Sequence, residues 1–420
     1  NRALAELAVR DTGLGNVDDK ITKNHRKTLG LMRDLRGAKS AGLIFEDGAR
    51  GVVEIARPVG VVAAITPSTN PGATPANKII NAVKCRNAII IAPSPKGQST
   101  AALLVDYVHA EFAKIGAPQD LVQVLPAPVM REATHELMRQ ADLIVATGSQ
   151  ANVRAAYQSG TPAFGVGAGN VATIVDSDAD LDQAALLIAK SKTFDNATSC
   201  SSENSVIVVA AVYDAMLAAL VRAGGVCVSA AEKAALQRTL WPDGKLSPAI
   251  TAQSAPKIAA HAGLSRADFE NARFIMVEES GAGAGFPFSG EKLSPVLTVY
   301  RAADFVAARE QVRAIYAHQG AGHSVGYHGR SDAHILDLGL RLPVARVIVN
   351  QAHAIATGGS FDNGLPFSLS MGCGTWGRNN FSDNLTYRHY LNITRIARPI
   401  PEHVPAIDDI FGEYLQRYGG

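Results

Sequence analysis

Apolar residues change their spacing near residue 51, and this change separates a helical beginning from a region of strands. Residues 2–40 place apolar side chains three and four positions apart, as at Leu4 and Leu7, which predicts helix. From Gly51 onward the apolar residues become nearly continuous, at 52–55 and again at 59–65. Such runs are typical of strands that a parallel sheet buries on both faces, so we predict two of them here.

Strand and helix patterns then alternate along the chain. Strands are predicted at 88–92, 121–124, 142–146, 172–175, 205–210, 295–300 and 345–350, and helices at 74–83, 99–115, 130–139, 150–157, 182–194 and 213–223. Short polar turns connect these segments, so we predict an α/β fold with two doubly wound parallel sheets. A last helical pattern, 401–418, gathers apolar residues on one face, which we expect to dock on another surface.

The composition describes a globular chain without a strong charge bias. Its 420 residues are enough for two domains, and 47% of them are hydrophobic. Lys and Arg number 40 against 38 Asp and Glu, a net charge of +2, which argues against nucleic acid or membrane partners. The 4 cysteines form no CxxC pair and the 11 histidines show no ligand spacing, so we predict no metal site. Reduced thiols suggest the cytoplasm, with association with a microcompartment as the alternative.

Cys200 is the strongest candidate for chemistry. A free cysteine is usually a small buried apolar residue, with apolar neighbours in sequence. Cys200 instead lies in the small polar stretch 198–204, between two segments with strong core character. This setting favours a nucleophile over a packing residue.

Three further polar turns complete a possible site. Residues 66–71 follow a predicted strand, at the edge where open α/β sheets bind ligands. Residues 165–170 are rich in glycine, which lets the backbone approach a ligand closely. Residues 291–296 carry a charged pair just before a buried strand. Each turn alone is typical of an ordinary connection between a strand and a helix. Together with Cys200, the three turns are best explained as parts of one active site.

With these segments the chain resembles the aldehyde dehydrogenase superfamily, and specifically its CoA-acylating branch, over essentially its whole length. The segments that carry the resemblance are 23–25, 69–71, 87–90, 146–148, 165–170, 191–196, Cys200, 291–295 and 372–377. The resemblance implies a cofactor-binding domain at 1–174, to which part of 374–400 returns, and a catalytic domain at 175–373. It also implies a C-terminal oligomerisation segment at 374–420 and assembly as a homodimer or homotetramer. Packing of the tail on the first domain and a shell-targeting role are the alternatives.

The same resemblance implies roles for individual residues. Cys200 would attack an aldehyde, and Thr69 and Asn70 would hold the resulting oxyanion. His323 would help to deprotonate a thiol, although a histidine after glycine is often structural. The residues predicted to bind NAD or NADP are Thr66, Pro67, Ser94, Lys96, Thr147, Gly148, Ser149, Gly167, Ala168, Gly169, Glu291 and Leu293.

Single positions indicate which nicotinamide cofactor is used and whether coenzyme A or water accepts the acyl group. Hydrolytic NAD-dependent members of the family often carry a carboxylate near Pro95. Here Ser94 and Lys96 flank that position and suit a 2′-phosphate, so we expect NADP to be accepted, with a solvated lysine as the alternative for Lys96. Hydrolytic members carry a water-activating glutamate where this chain has Val166. Without that base, coenzyme A should release the acyl group in place of water. A hydrolytic dehydrogenase and an inactive scaffold or shell-associated protein remain the alternatives.

The substrate is the least determined feature. The run 23–30, with Arg33, Asp34 and Leu35, looks most like members that act on sulfoacetaldehyde. Acetaldehyde, propionaldehyde and succinate semialdehyde stay open. Arg378 and His353 are predicted to contact the substrate, because a guanidinium suits a sulfonate or carboxylate. An arginine at the surface or at a subunit interface is the alternative for Arg378.

Overall fold

The structure is a computed structural model that describes residues 1–419. Its helices are α1 Arg2–Thr12, α2 Val17–Leu35, α3 Ala73–Lys84, α4 Gln98–Ile115, α5 Arg131–Gln140, α6 Gln150–Gln158, α7 Leu181–Thr193, α8 Tyr213–Arg222, α9 Ala230–Leu240, α10 Ala255–His261, α11 Phe305–His318, α12 Asp332–Arg341, α13 His353–Ala356 and α14 Ile407–Tyr418. Its strands are β1 Gly42–Asp47, β2 Val52–Pro58, β3 Val61–Thr66, β4 Ala88–Pro93, β5 Val122–Val124, β6 Leu143–Thr147, β7 Ala163–Val166, β8 Val171–Val175, β9 Glu203–Val209, β10 Gly225–Cys227, β11 Phe274–Glu278, β12 Val296–Ala302, β13 Val325–His328, β14 Val347–Val349 and β15 Leu391–Ala397.

The first large sheet is parallel, with the strand order β5-β4-β3-β6-β7. The central strand β3 is buried over Val62–Thr66, because helices cover both faces of the sheet, which accounts for its unbroken apolar run. The order reverses between β3 and β6, and open sheets bind ligands at the carboxyl ends of such a pair. Thr66 and Thr147 end these two strands, so predicted cofactor-binding turns lie at the expected edge.

The second large sheet has seven parallel strands in the order β10-β11-β12-β9-β8-β13-β14. On one face α7 and α8 bury residues such as Ile188 and Met216, and on the other α11 buries Val312 and Ile315. The predicted doubly wound α/β architecture is therefore confirmed. The domain boundary predicted at 174/175 falls inside β8, all of which belongs to this sheet.

A small antiparallel sheet, β1-β2-β15, corrects one sequence prediction. The run 52–55 does not form a strand of a parallel sheet, since β2 pairs antiparallel with β1 on one side and β15 on the other. Val53 and Ala56 are buried while their neighbours are partly exposed, so one face of β2 reaches solvent. Its apolar residues belong to a sheet of only three strands. The spacing of apolar residues alone does not distinguish such a strand from the central strand of a parallel sheet.

The C-terminal helix α14 has no buried residue. Val404 is 76% exposed and Ile407 70%, and Phe411 and Tyr414 are exposed too. The alternative that this tail packs on the first domain of its own chain is therefore wrong. No helix within residues 1–419 is both long and apolar enough to cross a membrane.

Candidate active site

Cys200 lies on the connection between α7 and β9, and this connection has an unusual backbone. Asp195, Asn196 and Ala197 have φ values of 51°, 50° and 57°, in the left-handed region. Such a conformation costs roughly 1–2 kcal/mol per residue for side chains other than glycine. Three in a row therefore require strong contacts from elsewhere, and the Asp195 carboxylate supplies them through Lys20 and Lys23.

The Cys200 thiol contacts an imidazole. Its Sγ lies 3.4 Å from Nε2 of His323, and Nδ1 of His323 lies 2.7 Å from the Ser324 hydroxyl. Burial, helped by Glu291 and Cys373, raises the pKa of Cys200 to about 12. Burial, helped by Arg346 and His353, lowers the pKa of His323 to about 3. The resting pair is therefore neutral, with the thiol donating to Nε2, and His323 is placed to take the proton when Cys200 attacks.

The backbone of the glycine turn packs closely against Cys200 and His323. A Cβ atom added to Gly169 would lie 2.5 Å from the Cys200 carbonyl oxygen and 3.0 Å from Cδ2 of His323. No side chain fits at this position, which explains the glycine. Val166, at the end of β7, is 2% exposed, so an apolar side chain occupies the position where hydrolytic relatives were expected to hold a carboxylate.

Asn70 is oriented by a lysine of α2. The Lys23 ammonium donates to Asn70 Oδ1 at 2.7 Å. An ammonium has only donors, so the atom facing it must be the amide oxygen, and the Asn70 amide NH₂ must point away. Asn70 and Lys23 line one cavity with Ser199, the residue before Cys200. The amide donors of Asn70 are therefore available for an oxyanion on a carbonyl that Cys200 attacks.

Asp195 links this lysine to the strained connection. Its Oδ2 accepts from Lys23 at 2.6 Å and from Lys20 at 3.0 Å, and its backbone N–H donates to Asp19 at 2.7 Å. Burial alone would raise the pKa of Asp195, but Lys23 and Lys20 hold it below its ordinary value. One carboxylate thus fixes the backbone ahead of Cys200 and the lysine that orients Asn70.

A second buried charge group lies beneath the glycine turn. Glu291 accepts from the Gly169 N–H at 3.3 Å, and burial raises its pKa to about 8 against the opposing charges of Lys192 and Lys292. Lys192 and Glu203 are completely buried, and burial lowers the pKa of Lys192 while it raises that of Glu203. The Gly169 N–H therefore fixes the Glu291 carboxyl beneath the glycine turn.

The cofactor-binding residues from the sequence fit a dinucleotide. The hydroxyls of Thr66 and Ser94 are buried without a protein partner in the described part of the chain, at the ends of the adjacent strands β3 and β4. Such uncommitted hydroxyls suit the hydroxyl and phosphate groups of a nucleotide. Thr147 contacts the Ser370 hydroxyl at 2.6 Å, and Ser149 caps α6 by accepting from Asn152.

The other residues predicted to bind the cofactor lie on turns that follow β3, β4, β6 and β7 and on the turn that carries Glu291. A Cβ atom on Gly148 would lie 3.8 Å from Pro67, so these two residues face each other across the ends of β6 and β3. Gly167 and Ala168 continue from β7 toward Gly169. Leu293 has a φ of 42° and accepts from the Ala252 N–H, which fixes the turn that carries Glu291. Lys96 is exposed on a short helical turn after β4.

A cavity of about 440 Å³ lies beside the Cys200 loop, with Ser199 and Asn70 in its wall. The charged residues that line it are five cations and one carboxylate, Lys23, Arg26, Lys27, Lys190, Arg273 and Asp19. Asp19 is already engaged by Asn16 and by the Asp195 N–H. The cavity next to the thiol is therefore positively charged.

The two residues predicted to contact substrate lie elsewhere. His353 is buried, with Nδ1 2.9 Å from the Ser201 carbonyl, so it supports the Cys200 loop from behind. Arg378 is exposed in a left-handed turn and is not among the residues that line the cavity. Its role in substrate choice stays a prediction.

Sequence reasoning assigned no role to three residues that build the site. Lys23 and Asp195 belong to segments that carried the family resemblance, but their contact spans 172 positions. Arg346 donates to the carbonyls of His323, Gly372 and Ser382, and so joins the His323 turn to the segment around Cys373. A lysine on the otherwise buried side of a predicted helix was the available signal for Lys23.

These features agree with comparisons against known proteins. The model of the aldehyde dehydrogenase family matches residues 4–285. The chain belongs to the aldehyde dehydrogenase family. The resemblance found in the sequence is thereby confirmed.

Individual aldehyde dehydrogenases show how close the relationship is. The chain is 68% identical to sulfoacetaldehyde dehydrogenase (acylating) of Cupriavidus necator, over 100% of this chain and 85% of that protein. It is 42% identical to succinate-semialdehyde dehydrogenase (acetylating) of Clostridium kluyveri, over 97% and 90% of the two chains. The crystal structure of an acetylating aldehyde dehydrogenase from Geobacillus thermoglucosidasius superposes with a TM-score of 0.92 at 35% identity, covering 96% of this chain and 89% of that one.

Proposed function

We propose that the protein oxidises sulfoacetaldehyde to sulfoacetyl-CoA with NADP or NAD as the hydride acceptor. The observation that carries this proposal is the pair of Cys200 and His323 beside a cavity whose charged residues are mostly cations. A sulfonate or carboxylate aldehyde suits such a cavity better than a neutral one. The 68% identity to the acylating sulfoacetaldehyde dehydrogenase supports sulfonate, and the 42% relative makes succinate semialdehyde the second candidate.

The first half of the reaction uses Cys200, His323 and Asn70. His323 Nε2 takes the thiol proton while Sγ attacks the aldehyde carbon, which gives a thiohemiacetal oxyanion. The free amide donors of Asn70 and the Cys200 backbone N–H stabilise that oxyanion, with Thr69 shaping the turn. When bound, the nicotinamide ring accepts the hydride that leaves this carbon. The product on the enzyme is an acyl thioester of Cys200.

The second half exchanges one thioester for another. Once His323 has released to solvent the proton that it took from Cys200, its Nε2 is free to accept the proton of the coenzyme A thiol, whose sulfur then attacks the acyl carbon. The Cys200 sulfur leaves and is protonated again. Val166 offers no carboxylate to activate water, so transfer to coenzyme A is favoured over hydrolysis. An intact thiol and imidazole argue against an inactive scaffold.

The location and the assembly are further parts of the proposal. All 4 cysteines are free, which supports a cytoplasmic location. The apolar face of α14 supports assembly as a homodimer or homotetramer, because such a stripe is unusual on the surface of a monomer. Deletion of residues 402–420 should lower the number of subunits per assembly, as measured by solution mass. An unchanged oligomer with unchanged thermal stability would contradict a docking role for the tail.

A thioester-formation assay tests the proposed function directly. Sulfoacetaldehyde, succinate semialdehyde, propionaldehyde and acetaldehyde are compared at equal concentration, with NAD or NADP, and with or without coenzyme A. We expect the highest kcat/KM for sulfoacetaldehyde and cofactor reduction that depends on coenzyme A. A preference for succinate semialdehyde would support the second candidate, and equal rates with and without coenzyme A would indicate a hydrolytic enzyme.

A further inference from the structure

One face of α2 forms a wall of the charged cavity. Asp19, Thr22, Lys23, Arg26 and Lys27 all line it, and their spacing of three and four places them on one side of a helix. Three of these five residues are cations, so α2 presents a mainly positive face to the cavity.

Two of these cations have no hydrogen-bond donor to spare. An ammonium has three donors. Those of Lys23 go to Asn70 Oδ1, Asp195 Oδ2 and the Thr198 hydroxyl.

Lys27 is committed in the same way, because its donors go to the carbonyls of Ile355, Gly358 and Gly359. Burial lowers the pKa of Lys27 to about 7, while three acceptors favour its protonated form. Both lysines hold the cavity walls in place and add positive charge, but neither can bind a substrate without giving up a contact.

Arg26 is uncommitted. Its guanidinium lies 5.1 Å from the centre of the Phe361 ring, and it makes no hydrogen bond or ion pair with any group within residues 1–419. Stacking on a ring leaves the N–H groups at the edge of the guanidinium plane free. On the facing side, Arg273 already donates to the Ala223 carbonyl, whereas Lys190 of α7 is exposed and unpaired in the described chain. Of the three α2 cations that line the cavity, Arg26 is thus the one with free donors.

We propose that Arg26 binds the sulfonate of the substrate and so determines its specificity, with Lys190 contributing charge from α7. The inference rests on the proposed function and extends it. Arg26 follows Lys23 by three residues, or about 4.5 Å along the helix axis, and Lys23 holds the residue that faces the reacting carbonyl. In sulfoacetaldehyde a single methylene separates the carbonyl from the sulfonate, so both groups must be held within a short distance. The forked donors of arginine engage two sulfonate oxygens at once.

The test compares Arg26→Gln with Arg33→Gln. Arg33 also lies on α2 and also stacks on Phe361, at 5.5 Å, but it pairs with Asp34 and does not line the cavity. The measured quantity is the ratio of kcat/KM for sulfoacetaldehyde to that for acetaldehyde. We expect Arg26→Gln to lower this ratio by about 10- to 100-fold, mainly through KM, as loss of a charge-assisted bond implies. Arg26→Lys should restore part of it, and Arg33→Gln should leave it unchanged.

A binding measurement separates failure of this inference from failure of the proposed function. Ethanesulfonate has the anion but no aldehyde, and it should inhibit the wild type competitively and Arg26→Gln more weakly. If the wild type does not oxidise sulfoacetaldehyde, the proposed function is wrong. If it does, and Arg26→Gln alters neither the ratio nor inhibition by ethanesulfonate, the sulfonate is bound elsewhere. Equal losses for both aldehydes would mean that Arg26 only supports the wall.

Discussion

The two sides of Cys200 differ in how their polar groups are used. On the cofactor side, the hydroxyls of Thr66 and Ser94 are buried and have no protein partner among the described residues. On the substrate side, Lys23 and Lys27 use every donor on the protein itself, and the free donors lie further out on Arg26. The first side leaves buried hydroxyls free for a large phosphate-bearing ligand. The other is a rigid positive wall with few contacts for a small anion.

Removal of the thiol that separates these two sides should have the largest effect. Cys200→Ala should lower thioester formation by at least about 10³-fold, because no group replaces the nucleophile. Cofactor binding should persist, since Thr66 and Glu291 do not depend on the thiol. Stopped assays of acyl-CoA and a fluorescence titration of the cofactor measure both. Cys227→Ala, at another half-buried free thiol, serves as the control. Substantial residual activity in Cys200→Ala would refute its assignment.

Replacement of Lys23, the lysine that orients Asn70, should have the second-largest effect on activity. Lys23→Met should reduce kcat by about 10²-fold, as removal of an oxyanion donor does, because Asn70 is then free to turn its amide. KM should change less than kcat, and the cofactor side should keep its affinity. Steady-state kinetics with thermal melting provides the measurement.

Lys20→Met is the matched control for this variant. Lys20 also pairs with Asp195, at 3.0 Å, but it contacts the Thr69 carbonyl instead of Asn70. A similar loss of thermal stability with a much smaller loss of kcat is expected for Lys20→Met. Equal losses of kcat in the two variants would mean that the lysines act only through Asp195 and the fold.

The two sides also differ in how much of each could be predicted from the sequence. Thr66, Asn70 and Cys200 follow or precede strongly patterned segments, so their place at the edge of a sheet follows from local spacing. The contact of Lys23 with Asp195 joins a helix to a turn 172 residues away, and no local pattern encodes it. The run 23–30 suggested a sulfonate substrate by resemblance alone, and the structure brings its cations to the cavity wall.

The partly exposed strand β2 is a case in which a strong local pattern led to a wrong prediction. Its apolar run matched a buried parallel strand, but its partners β1 and β15 are antiparallel and leave one face partly exposed. Which strand pairs with β2 depends on a segment more than 300 residues later, so burial could not be inferred from the run itself.

The protonation of Cys200 gives a pH dependence. Because burial raises the pKa of the thiol to about 12, its thiolate fraction is small at neutral pH and grows tenfold per pH unit up to that value. Alkylation of Cys200 by iodoacetamide in the cofactor-free protein should therefore rise about tenfold per unit between roughly pH 7 and 10. Mass spectrometry of the peptide that contains Cys200 measures the rate. A plateau near neutral pH would instead indicate a thiolate–imidazolium pair with His323.

The smallest expected effect concerns the outer edge of the cofactor side. Lys96 is exposed after β4, near the uncommitted Ser94 hydroxyl, where a 2′-phosphate would meet a screened charge. Lys96→Ala should weaken NADP binding only by about threefold to tenfold, because exposed ion pairs contribute little, and should leave NAD binding unchanged. Titrations of both cofactors at low and high salt measure this, with Lys114→Ala at the far end of α4 as the control. Added salt should reduce the difference between wild type and Lys96→Ala, since screening removes the same interaction. Equal weakening of NAD and NADP would mean that Lys96 shapes the turn and does not contact the phosphate.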